Sequence, residues 1–395
     1  MVVTSDLVAE FFADTPGAKD RLHLDNCGSA LMATSVITAI KTHLEEEVMI
    51  GGYVMEERLS HKLSELYQSL QTLFGGSVRD YAIASSAVDA WTKGFYSVPL
   101  SAGDVILTSY NEYCANAAAY AHRCERDGVT LRVAPSHDDG SFDLAAFGNL
   151  VDDKVKLISI SHMPCSSGQV APAKAIGKIA REAGAVYCLD ACQTAGQIAF
   201  SVDDIGCDIL SGTSRKFLRG PRGAGFLYLS SDFRAQMSPM MRSNNSGVWT
   251  GQDSFDWRSD ATQFETWEKS TLLRIGFGTA LDGLIGTGPD TVYDLIADRA
   301  MAMRKALSSI NGVRIACPPD ATGAIIGLEC DGWQPAALKA ELENKNCAVQ
   351  MADAVHTRYD FERRGLTSLL RVSPHCYTRD EDIDRFCALL EDLIR

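Results

Sequence analysis

Short apolar runs alternate along the chain with longer stretches whose apolar positions return at helical spacing. VYCL (186–189), CDILSG (207–212) and GFLYL (225–229) have the length and character of strands buried on both faces. YAIASSAVDAWTKGF (81–95) reads as strand, turn and helix. GDVILTSYNEYCANAAAYAHRC (103–124) reads as strand then helix, and KLISISHMPCSSGQVAP (156–172) as a strand ending in a polar loop. APAKAIGKIAREAGA sets Ala175, Ile176, Ile179 and Ala180 on one helical face and leads back to the VYCL run. Such strand–helix alternation requires a mostly parallel sheet, which makes the chain α/β. At the N-terminus, residues 1–20 predict a helix with a turn at Pro16–Gly17. A helix follows over 34–48, and GGYVMEERLSHKL (51–63) places Tyr53 ahead of another. Residues 239–262 are polar and weakly periodic, which predicts a long loop of functional or mobile type. Strands and helices alternate again from about 290 to the end.

Composition narrows the classes. At 395 residues the chain can bury a large core and predicts two domains. With 37 basic and 51 acidic residues, a net charge of −14 argues against nucleic acid or an anionic membrane surface as partner. No apolar run has the length of a membrane span, and the first residues lack a basic leader. Twelve cysteines without paired spacing fit reduced thiols in the cytoplasm. The eight scattered histidines and the absence of CxxC or HExxH predict no metal.

The chemistry gathers at strand ends. VYCL closes on Asp190, and CDILSG delivers Ser-Arg-Lys with Lys216. Ligands of open α/β sheets bind beyond the carboxyl ends of strands. Pyridoxal phosphate requires such a pair: a lysine for its Schiff base and an acid that keeps the ring nitrogen protonated. Lys216 and Asp190 are the candidates. GPRGAG (220–225) lacks the Gly-Lys-Ser/Thr of a phosphate loop and reads as a tight turn before GFLYL. No G-x-G-x-x-G follows an early strand, so a nicotinamide protein is disfavoured. Ser85 and Ser86 open a helix, where hydroxyls and free N–H groups either cap the helix or hold a phosphate.

DACQTAG followed by SGTSRKFLRGPRGAGFLYL resembles the class V branch of fold-type I pyridoxal-phosphate enzymes, and the motif order matches from about Leu22 to the C-terminus. HLDNCGSA, GGYVMEE and SRK-x-L-x-GPRG are, within that branch, most similar to the hercynylcysteine sulfoxide lyases of ergothioneine synthesis, and more distantly to isopenicillin N epimerases and cysteine desulfurases. The resemblance implies a large cofactor domain over 22–289 with a mostly parallel seven-stranded sheet. It implies a smaller α+β domain formed by 290–395 with the arm 1–21, and a homodimer with shared active sites. It also carries roles to single residues. Ser85 and Ser86 fall at the phosphate turn, and Tyr113 stands where relatives stack a histidine on the ring. Gln193 matches a contact to the ring hydroxyl, and Thr213 and Arg215 suit the phosphate. Thr250, with Trp249 beside it, lies in the segment that reaches a second subunit. Arg371 matches the residue that holds the substrate carboxylate. Asn26 and Tyr53 sit in substrate-side stretches, although a plain turn and a packed aromatic explain them equally well. Gln263 replaces an arginine of the family pattern.

Desulfurases need a mobile cysteine ahead of the carboxylate arginine. Here the only thiol of that stretch, Cys347, precedes the position they use. The reading is therefore β-elimination from a cysteine-derived amino acid, cleaving its C–S bond. Epimerisation or transamination of another amino acid is the alternative.

Overall fold

The computed structural model describes residues 2–395. Seven strands form the central sheet: β1 (Tyr81–Ala84), β2 (Val105–Ser109), β3 (Thr130–Ala134), β4 (Val155–Ser161), β5 (Val186–Asp190), β6 (Ile209–Thr213) and β7 (Gly225–Leu229). Their order is β1-β7-β6-β5-β4-β2-β3. Only β7 runs antiparallel to its neighbours. The expected mostly parallel, seven-stranded sheet is present. β5 and β6 are buried nearly throughout, as strands covered on both faces must be.

Register sets the site. Ser161, Asp190 and Ser211 lie side by side on β4, β5 and β6. Two glycines let the motifs close on one another. A Cβ at Gly196, whose φ is +96°, would stand 2.5 Å from the Phe217 backbone, so DACQTAG packs directly on the lysine loop. A Cβ at Gly225 would stand 2.6 Å from the Ser86 carbonyl carbon, so the end of GPRGAG lies against the serine turn.

A second sheet of β10 (Val313–Ile315), β11 (Ile326–Cys330), β12 (Gln350–Asp353) and β13 (Ser368–Val372), in the order β10-β11-β13-β12, is antiparallel and covers its own core. Between the two sheets in chain order comes the exposed hairpin of β8 (Gly247–Gly251) and β9 (Ser254–Trp257).

Two expectations need correction. The stretch 239–262 is not a structureless loop, because it contains this hairpin, whose cross-strand partners include Trp249 and Phe255. Pro16–Gly17 is not a turn but opens a short helix, Pro16–Asp20, with proline at its first position, where the missing N–H costs nothing. Leu22–His23 pairs with Cys347–Ala348, and Leu22 and Leu24 pack in the core under the second sheet. The N-terminal helix α1 (Val2–Ala13) is tied to both parts of the fold. The Arg379 guanidinium lies 3.6 Å from the Phe12 ring centroid, and Arg219 lies 5.8 Å from that of Phe11.

Candidate active site

A pocket of about 640 Å³ opens at the carboxyl ends of β4, β5 and β6. Seven of the residues singled out from the sequence line it: Ser86, Tyr113, Asp190, Gln193, Thr213, Arg215 and Lys216. Asp190 ends β5 at 6% exposure, and both its oxygens are held. Oδ1 accepts from the Cys192 N–H at 2.9 Å, and Oδ2 from the Asn116 amide at 3.1 Å. Lys216 follows β6 on a turn, and Arg215 beside it donates to the Gly28 carbonyl.

Ser86 caps the helix α2 (Ala87–Tyr96), its Oγ accepting from the Asp89 N–H at 3.1 Å. Ala87 and Val88 of the first turn also line the pocket, so the helix N-terminus faces it and offers an anion site. Ser85 does not line the pocket. Its N–H and hydroxyl donate to the Asp89 carboxylate at 3.0 and 3.1 Å.

Tyr113 stands immediately before the helix α3 (Cys114–Asp127). Burial, with Cys114 next in effect, pushes its phenol up to about 12, so it presents a neutral aromatic wall. Gln193 donates to the Cys27 carbonyl at 3.2 Å, while its Oε1 is buried without a partner.

Four sequence candidates lie elsewhere. Asn26 is fully buried and spent on structure, donating to the Ser373 carbonyl at 2.6 Å and accepting from the Tyr377 hydroxyl. Tyr53 is 80% exposed on the helix Gly52–Arg58 and does not reach this pocket. Thr250 is exposed on the hairpin, whose Trp249, Phe255 and Trp257 rings stack with centroids 6.1 and 4.8 Å apart. Arg371 sits on β13 just behind the wall, at 8% exposure. It donates to the carbonyl of pocket-lining Cys165 at 2.9 Å, lies 3.4 Å from Asp25 Oδ1, and keeps a buried Nε without a partner. The sequence reading gave no site role to Asn116, Ser161, Met163, Trp91 or Cys192, all of which line the pocket. For Asn116 a signal exists: it follows Glu112 by four residues and lies in the first turn of α3.

The donor set fits pyridoxal phosphate. A lysine amine and a fixed carboxylate share one pocket, a helix N-terminus with Thr213 and Arg215 faces it, and Gln193 leaves an orphaned acceptor in its wall.

Residues 22–386 match the family described as aminotransferase class V. The chain belongs to this family of fold-type I enzymes, and its cofactor is pyridoxal 5′-phosphate. It is 22% identical over 387 residues to a probable cysteine desulfurase of Methanothermobacter thermautotrophicus, with 96% of each chain covered. Its fold is similar to the cysteine desulfurase CsdA of Escherichia coli, at a TM-score of 0.89 and 19% identity over 98% of this chain and 99% of that one. It is also similar to the cystine C–S lyase C-DES, at a TM-score of 0.87 and 19% identity over 96% of this chain and 99% of that one. Among the described residues no helix is long and apolar enough to cross a membrane, and no group of three or more His, Cys, Asp or Glu is placed to hold a metal.

Proposed function

We propose that the protein is a C–S lyase that eliminates the sulfur substituent from Cβ of a cysteine-derived amino acid, leaving pyruvate and ammonia. One observation carries this reading against the desulfurase names of its relatives. Cys347 is fully buried in the short strand paired with Leu22, and burial pushes its thiol up to about 12. From Ala348 to Arg371 the chain holds no cysteine, so the segment before the carboxylate arginine has no thiol to present to substrate sulfur. Cys165 and Cys192 line the pocket, but burial raises both thiols and keeps them protonated.

When bound, the cofactor supplies an electron sink for charge developing at Cα. The residues do the rest. Arg371, behind the wall, would meet the substrate carboxylate with its unpartnered Nε and the Nη2 that now turns to Asp25. The Lys216 amine takes the Cα proton as general base and returns a proton to the departing sulfur. Asp190, fixed by Asn116 and Cys192, keeps the ring nitrogen protonated. Tyr113 and Met163 wall the pocket against water. Within this reading, the HLDNCGSA, GGYVMEE and SRK-x-L-x-GPRG stretches favour a cysteine S-conjugate or its sulfoxide, of the hercynylcysteine sulfoxide kind.

With such a substrate, turnover is expected without any added keto acid, and Cys347→Ala is expected to stay within about twofold of wild type, the range of substitutions away from the chemistry. Loss of activity in that variant with its fold intact, or a strict need for a keto acid, contradicts the lyase reading. Arg371→Lys is expected to cost about 1–3 kcal/mol in kcat/KM, mostly through KM, because a point charge replaces a fork. Unchanged kinetics remove Arg371 from the carboxylate site.

The same reading makes the protein a homodimer in which the hairpin bearing Thr250 meets the other subunit's pocket. The support is an exposed apolar face formed by Trp249, Phe255 and Trp257. Sedimentation at micromolar concentration is expected to show a dimer. A fully active monomer overturns it.

A further inference from the structure

Glu112 has no place in the reaction above, yet its carboxylate, 3% exposed, accepts five hydrogen bonds. Oε1 takes them from the Tyr113 N–H at 2.7 Å, Ser161 Oγ at 2.6 Å and Asn116 Nδ2 at 2.9 Å. Oε2 takes them from Thr108 Oγ1 at 2.9 Å and the Tyr120 hydroxyl at 2.8 Å. The donors come from β2, β4, α3 and the residue before α3, so one acid ties these elements together beside the pocket. A carboxylate is acceptor-only, and all five partners turn a hydrogen towards it, two of them N–H groups that can only donate.

The consequence lies one step further on. The Asn116 amide nitrogen has two hydrogens, and it lies 2.9 Å from Glu112 Oε1 and 3.1 Å from Asp190 Oδ2. A reversed amide would set its oxygen against two carboxylates. Glu112 thus dictates which end of Asn116 faces Asp190, and Asn116 dictates where the Asp190 oxygen lies. We propose that Glu112 is a positioning residue for the cofactor acid: acting through Asn116, it holds the Asp190 carboxylate in the orientation that receives the pyridinium N–H. The same carboxylate fixes the Tyr113 backbone and Ser161 in the pocket wall. This role depends on the cofactor and not on which bond of the substrate is cleaved.

The test is a double-mutant cycle on Glu112→Gln and Asn116→Leu. It reads the pyridoxal-phosphate dissociation constant of the apo-protein together with kcat and KM. Glu112→Gln replaces one acceptor oxygen by an NH2 and removes the charge that holds Asn116, and Asn116→Leu removes the link at similar volume. Each single variant is expected to weaken cofactor binding and lower kcat by about tenfold, the scale on which outer ligands act, with KM little changed. The double variant is expected to be no worse than the poorer single one, because both substitutions cut one link. Losses that multiply, or an Asn116→Leu protein with wild-type cofactor binding and kcat, overturn the proposal. If Glu112→Gln does not fold, Asn116→Leu is introduced beside Asp190→Asn. The loss it causes alone is expected to vanish in that background, and its persistence there counts against the link just as directly.

Discussion

Lys216→Ala is expected to abolish turnover, by at least ~10⁴-fold given a general base and a covalent attachment point lost together. Borohydride reduction of the wild-type protein with pyridoxal phosphate is expected to fix the cofactor on the peptide containing SRKF, and reduction of the variant to fix none there. Lys216 lines the pocket from a turn after β6 and belongs to none of the hydrophobic clusters, so the variant is expected to fold. An adduct on any other lysine places the chemistry elsewhere.

Asp190→Asn is expected to retain the cofactor while slowing exchange of the substrate Cα hydrogen by about 10²–10⁴-fold, the range over which a positioned proton matters. The neutral amide cannot hold the ring proton. Its NH2 must also face either the Cys192 N–H or the Asn116 amide, both of which now point at carboxylate oxygens. Wild-type exchange into solvent deuterium, followed by NMR, shows that Asp190 is not the pyridinium partner.

These two residues were legible because each stands at the end of a short apolar run, and strand ends are where open parallel sheets expose side chains. Ser86, Tyr113, Gln193, Thr213 and Arg215 were legible by motif, and the pocket contains all of them. Ser85 lies off the pocket lining for a local reason: Asp89, one helical turn on, takes its donors. Asn26 lies off it for a distant one, since its partners Ser373 and Tyr377 lie near the other end of the chain. The hairpin escaped detection because the turn between its strands, Gln252–Asp253, lacks the usual glycine. Its signal was instead the three aromatic rings Trp249, Phe255 and Trp257, which fall on one face only once the strands pair. The Glu112 network was only partly legible. Thr108, Asn116 and Tyr120 stand at multiples of four from Glu112, but Ser161 lies 49 residues on, and only the sheet brings it to the same carboxylate.

The family runs elimination, desulfuration, epimerisation and transamination on the same lysine–acid pair, so the fold does not choose the reaction. The choice falls to what faces Cβ and the substrate sulfur, and here no exposed thiol stands on the segment before Arg371. The most direct measurement is therefore the fate of the substrate carbon skeleton. The purified protein is mixed with a cysteine S-conjugate or its sulfoxide in deuterated buffer, and the products are read by NMR. Pyruvate and ammonia appearing in step with substrate loss, without a keto acid, are the predicted result. Alanine as the product, or the intact amino acid carrying deuterium at Cα without pyruvate, contradicts it.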